Sequence, residues 1–137
     1  MSTQENKAIH RRIIEEVWNK GNLSVVDELV AADWAYVTEN VHGREGYKGW
    51  VTMVRSAFPD WHQTIHDQVA EGDKVATRWT VRGTHQGPIW GIPPTGKKIE
   101  MTGMYLVRFA GGQVVEEWGN YDAVGMLQQL GVIPAMG

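Results

Sequence analysis

Three side chains carry most of the chemistry this sequence offers: Tyr105, Glu117 and His85. A phenol, a carboxylate and an imidazole together suit proton transfer at a carbon beside a carbonyl group. A base takes the proton, and a hydroxyl donor steadies the enolate oxygen that forms. Tyr105 lies mid-strand on the face of Met101, Gly103 and Val107, where its hydroxyl either meets a ligand carbonyl or is satisfied within the core. Gly103 favours the pocket version, because a glycine inside a strand often marks a bend or the close approach of a ligand. Glu116 and Glu117 are adjacent and therefore point to opposite faces of a strand. Parity with Val115 and Gly119 turns Glu117 inward, where burial raises a carboxyl pKa toward general-base work; the alternative is two solvated acids at an edge. His85 ends an apolar strand face shared with Trp79 and Val81. It reads either as a pocket acid/base or as a hydrogen-bonded histidine holding the loop that follows. Asp122 opens the last helix, where charge stabilisation of a helix start accounts for it as well as a ligand does.

Other chemistries are missing. The sequence has no cysteine, which removes thiol nucleophiles, disulfides, iron–sulfur clusters and cysteine-type zinc sites. It has no G-x-G-x-x-G, no P-loop, no H-E-x-x-H and no G-x-S-x-G. His62 and His66 are four apart, but in a stretch of period two they stand about 13 Å apart and cannot share an ion. No metal and no cofactor is expected.

The aromatic residues suggest what the acid–base groups would surround. Seven of them are tryptophan. Trp18 and Trp50 sit on helical stripes, Trp79 on a strand face and Trp90 in the middle of a loop, and these four read as a pocket wall. Trp34, Trp61 and Trp118 fall near element ends. Indole N–H groups need partners, and a mostly apolar pocket employs many of them better than a filled core does. The residues expected to contact a hydrophobic small molecule are Trp18, Trp34, Tyr36, Trp50, Met53, Trp79, Trp90, Met101, Gly119 and Asp122.

The elements that must position these groups follow from periodicity. Ile9, Ile13, Ile14, Val17 and Trp18 make one stripe of a helix from about Glu5 to Lys20, stopped at Gly21. Asn22 is placed to cap a short second helix carrying Leu23, Val26, Leu29 and Val30. Asp33 to Thr38 reads as a strand; Tyr47, Trp50, Val51, Val54 and Phe58 form another helical stripe, ended by Pro59. From Trp61 the period becomes two, with Trp61, Gln63, Ile65, Asp67 and Val69 on one face. A turn at Glu71–Lys74 leads to a strand with Val75, Thr77, Trp79, Val81, Gly83 and His85 on one face. A Pro/Gly-rich loop spans Gly87 to Gly96, strands follow at Ile99–Phe109 and Gln113–Gly119, and Val124, Leu127 and Leu130 mark a last helix. Helices gathered beside a four-strand meander make an α+β layer.

The chain of 137 residues suits a single domain. A net charge of −3 disfavours a general nucleic-acid binder, and no apolar run is long enough for a membrane helix. The polar first residues run straight into a helical pattern and do not read as a signal peptide, so a soluble, cytoplasmic protein is expected.

Several segments, in order along the chain, resemble one family: 17–22 (VWNKGN), 43–47 (GREGY), 57–60 (AFPD), 82–87 (RGTHQG), 91–97 (GIPPTGK) and 128–131 (QQLG). They look like the SnoaL-like polyketide cyclases of the nuclear transport factor two-like superfamily. The resemblance implies a cone-shaped α+β barrel, a strongly curved and mostly antiparallel sheet wrapped around N-terminal helices, with a deep apolar pocket. It also implies homodimers formed through the outer sheet face, where Thr102, Met104 and Leu106 offer an apolar patch. The implied reaction is a metal-free and cofactor-free intramolecular aldol closure of a polyketide ester, run by an aspartate near the end of the last strand and a histidine on its neighbour. By local match those positions fall on Gly119 and Tyr105, so this chain departs from the pattern at both. Three readings stay open: a cyclase, isomerase or lyase acting on a carbonyl-bearing molecule; a binding protein without catalysis; and a structural dimer with a vestigial pocket.

Overall fold

The computed structural model describes residues 2–134. Helix α1 (Thr3–Arg12) starts at Ser2, whose hydroxyl accepts the Glu5 N–H while the Glu5 carboxylate accepts the Ser2 N–H. Its path continues as a wider π-helical stretch over Ile13–Trp18, with the Asn19 N–H reaching back five residues to the Ile14 carbonyl. Gly21, at φ 73°, ends it, and the Gly21 and Asn22 N–H groups fold back onto the Val17 and Glu16 carbonyls. Asn22 is thus occupied in closing the first helix. Helix α2 (Ser24–Leu29) begins at Leu23 without a side-chain cap, and the Asn22 side chain accepts the Ser24 hydroxyl instead.

Strand β1 (Val30–Tyr36) begins at Val30, three residues before the expected start, because it lies parallel to β6 (Gln113–Tyr121) with Val30 opposite Val114. A two-residue strand β2 (Val41–His42) and helix α3 (Gly43–Ala57) follow. Strands β3 (His62–Glu71), β4 (Lys74–Thr84) and β5 (Lys98–Ala110) complete the antiparallel meander into β6, and helix α4 (Ala123–Gln129) closes the described chain. The six-stranded sheet has the order β2-β1-β6-β5-β4-β3, and α1 and α3 pack against its inner face. The α+β expectation and the meander are both realised.

Bulges bend the sheet and change which residues face inward. One falls between Ile65 and Asp67, so the inward face of β3 switches from Gln63 and Ile65 to Gln68 and Ala70, and Asp67 and Val69 stand outside. Another, between Arg108 and Phe109, makes Val114 rather than Val115 the core residue of β6. Glu117 and Gly119 nevertheless face inward as expected.

Candidate functional site

Inside the sheet a row of residues is fixed by strand register. Thr77 on β4 lies opposite Tyr105 on β5, which lies opposite Gly119 on β6; one step along, Val107 is opposite Glu117, and Glu117 is opposite Tyr36 on β1. Tyr36, Tyr105 and Glu117 are all buried. Above this row α3 inserts Trp50, whose ring lies 4.7 Å from Tyr36, 4.6 Å from Trp18 and 6.3 Å from Tyr105 between centroids.

The cavity on the outer side of Trp50 has about 50 Å³ of room for water-sized occupants, space for roughly four waters. Its walls include Trp18, Trp50, Trp79, Met101 and Tyr105, five of the residues named from the sequence, and Met53 and Trp90 stand at its exposed mouth. Trp61, expected near an edge, is instead buried in this wall, packed against Phe58 at the end of α3. Sequence reasoning also missed Glu39, in the turn between β1 and β2, which accepts the Tyr121 hydroxyl at 2.6 Å beside the mouth. Trp90, at φ 50°, stacks on Tyr121 with centroids 6.5 Å apart, so the 87–96 loop helps to close the entrance.

Other expected contacts lie elsewhere. Trp34 is fully buried below Trp50 and donates its indole N–H to Glu117 Oε1 at 3.1 Å. Tyr36 and Gly119 form a closed contact behind Tyr105. A Cβ at Gly119 would collide with the Tyr36 hydroxyl and lie 2.8 Å from the Tyr105 ring, so the phenols fill the space that an aspartate here would need. Asp122 is exposed and caps α4, its Oδ1 accepting the Gly125 N–H at 2.9 Å; it does not reach the cavity, because the helix start claims its carboxylate. His85 is fully buried, yet it is outside the cavity wall. Its Nδ1 accepts the Thr95 N–H at 3.1 Å and lies 3.0 Å from the Thr95 hydroxyl, and its ring packs on Phe58. Of the two readings of His85, the structure realises the loop anchor and does not bring it together with Tyr105 and Glu117.

Burial sets the electrostatics. Loss of water pushes the Glu117 carboxyl up to about 7, opposed by the Trp34 N–H that stabilises its ionised form. Burial also drives the Tyr105 phenol well above its ordinary value, so it stays protonated and serves as a donor. His10 was not singled out from the sequence. It is buried against Tyr105, with Nδ1 2.8 Å from the Thr77 hydroxyl, and burial lowers its pKa to about 4. A signal existed: His10, Ile13, Ile14 and Val17 fall at helical spacing on one stripe. Among the described residues no three His, Asp or Glu side chains gather around a common metal position. Nor is any helix among them long and apolar enough to cross a membrane.

The arrangement is an aromatic cavity with a phenol donor in its wall and a carboxyl of near-neutral pKa sealed one layer deeper. A family model described as SnoaL-like polyketide cyclase matches residues 8–130. Among characterised proteins, the chain is 27% identical over 119 residues to the nogalonic acid methyl ester cyclase of Streptomyces nogalater, covering 83% of this chain and 89% of that one. It is 27% identical over 137 residues to the aklanonic acid methyl ester cyclase DnrD of Streptomyces peucetius, covering 96% and 92%. Among solved structures, AclR of Streptomyces galilaeus, described as a candidate hydroxylase, superimposes with a TM-score of 0.87 at 30% identity over 99% of this chain and 87% of that one.

Proposed function

The chain belongs to the SnoaL-like polyketide cyclase family, and from that premise we propose that it performs cofactor-free acid–base chemistry, a cyclisation, isomerisation or lyase step, on an apolar, carbonyl-bearing, polyketide-like molecule. The observation that carries this reading is a donor with a base behind it: the protonated Tyr105 in the cavity wall and, one layer deeper and outside that wall, Glu117 with its carboxyl near pKa 7. In a cyclisation, Glu117 takes a proton from the carbon beside a carbonyl, and the Tyr105 hydroxyl donates to the enolate oxygen. The enolate carbon then attacks a second carbonyl of the same molecule, and the proton passes to the new alkoxide. No atom is gained or lost. Substrate must part Trp90 and Met53 to enter, and Trp50 must turn aside for Glu117 to reach it. Exposed Met104 and Leu106 on the outer face of β5 support pairing of two copies there, in a protein acting in the cytoplasm.

A second reading, binding without turnover, draws on two facts. Gly119 and Tyr105 stand where the family resemblance puts aspartate and histidine, and Glu117 is outside the cavity wall. Incubation with nogalonic and aklanonic acid methyl esters, followed by mass spectrometry and NMR of the products, decides between them. The enzyme reading expects a new ring at unchanged mass, with Tyr105→Phe and Glu117→Gln each lowering the rate by about 10²-fold. Binding without product favours the second reading, a product gaining one oxygen atom overturns both, and full activity in both variants removes the residue assignment.

A further inference from the structure

Fourteen residues line the cavity and eight of them are aromatic, so ring surface rather than aliphatic surface dominates the wall. Trp18 gives its indole N–H to the Tyr47 hydroxyl at 2.9 Å, and the indole nitrogens of Trp61 and Trp79 are sealed from any opening. These three rings therefore meet the cavity with carbon alone. The rings are also inclined to one another, Trp18 to Trp50 by 75° and Trp50 to Tyr105 by 86°. They stand as the sides of a box rather than as one stack.

The charge around this box has a single sign. Among the described residues no Lys, Arg or His lines it, and the one carboxylate is Glu39, whose Oε1 accepts the Tyr121 hydroxyl at 2.6 Å beside the mouth. The thioethers of Met53, Met101 and Met126 add weak acceptors. An aromatic face carries negative charge density and attracts a cation, most strongly where water is excluded. A wall meant for a plain hydrocarbon has no use for a carboxylate at its entrance, and an anion would be repelled there. Size sets a further limit. About 50 Å³, room for roughly four waters, suits an ammonium nitrogen with its methyl groups and no larger head.

We propose that the cavity binds a small, free quaternary alkylammonium ion, held by cation–π contact with the inclined rings and steered inward by Glu39. This binding function goes beyond the acid–base chemistry proposed above and does not rest on it. The two share a wall, so a bound cation keeps a larger molecule away from Tyr105.

The test compares choline with two probes. In 3,3-dimethylbutan-1-ol a carbon replaces the charged nitrogen at the same shape, and phosphocholine carries the same head on an anionic group. Titrations of the whole protein at neutral pH and matched ionic strength, followed by ¹H NMR, give the affinities and the shift of the N-methyl resonance. Choline is expected to bind about 30-fold more tightly than the alcohol, the worth of a cation–π contact shielded from water. Its N-methyl resonance should move upfield, because protons over ring faces are shielded and protons at ring edges are deshielded. Glu39→Gln, in an exposed turn, keeps an oxygen for the Tyr121 hydroxyl and should weaken choline about threefold while leaving the alcohol unchanged. Phosphocholine should bind less tightly than choline. Choline that fails to bind at millimolar concentration, binds no better than the alcohol or shifts downfield overturns the proposal. An unchanged choline affinity in Glu39→Gln removes the steering role, and tighter binding of phosphocholine replaces the free ion by a headgroup. The ring-closure assay tests the acid–base reading separately, by the product formed, so either reading can fail alone.

Discussion

Glu117→Gln should change how stability depends on pH, and the sign follows from two buried groups working in opposition. The Glu117 carboxyl has an ordinary value of 4.5 and is raised to about 7 in the fold. Between those values the folded protein holds a proton that the unfolded chain has released, so stability falls as pH rises. At about 1.4 kcal/mol per pH unit, the loss across the window is about 3 kcal/mol. His10 has an ordinary value of 6.5 and is lowered to about 4. Between those values the unfolded chain holds the extra proton, so stability rises with pH, again by about 3 kcal/mol. The windows overlap from pH 4.5 to 6.5, where the two slopes nearly cancel in the native protein. Gln at 117 keeps an oxygen to accept the Trp34 N–H and removes only the falling slope. The stability of the native protein minus that of the variant should therefore fall by about 3 kcal/mol from pH 4.5 to 7. Urea unfolding at half-unit pH steps measures this through the midpoint at constant m. A difference that does not change with pH would show that Glu117 is not held neutral by burial, and the case for it as a base near neutrality would fall with it.

Two further outcomes follow from contacts described above. Gly119→Ala should destabilise the fold by about 1–3 kcal/mol through collision with the Tyr36 hydroxyl, and Tyr36→Phe in the same chain should recover part of that loss in urea unfolding. Thr95→Val removes the hydroxyl beside His85 Nδ1 but keeps the backbone N–H, so it should cost about 1 kcal/mol and speed proteolytic cleavage within the 87–96 loop; unchanged cleavage would disconnect His85 from loop order.

What was legible in the sequence was local. The alternation along β4 and β5, the turns at Gly72 and Gly111–Gly112, and the stripe of α3 all follow from period and turn chemistry. Glu117 was found because parity with Gly119 survived the bulge; the same argument failed with Val115 and with Asp67, since a bulge inserts a residue without a distinctive local signature. The fate of His85 hung on Thr95, ten positions away in a loop. The early start of β1 and the closing of Tyr36 over Gly119 depend on a parallel pairing between distant parts of the chain, and no local pattern announces one. Trp61 looked like an element end by position, yet its place behind Phe58 is set by how α3 meets the sheet.

The parallel seam between β1 and β6 also bears on how the chain acquires its shape. Trp34 emerges from the ribosome long before its hydrogen-bond partner, Glu117, which lies 83 residues further on. Strand β1 has only the two-residue β2 to pair with until β6 exists. The indole and phenol faces of Trp34 and Tyr36 thus have no sheet to lie in during most of synthesis. Closing so long a loop is slow, because its entropy is lost before any contact repays it. The nascent protein therefore completes its core only after nearly all of the sequence is available, and the newly made chain carries a sticky aromatic segment through that delay, when chaperones matter most.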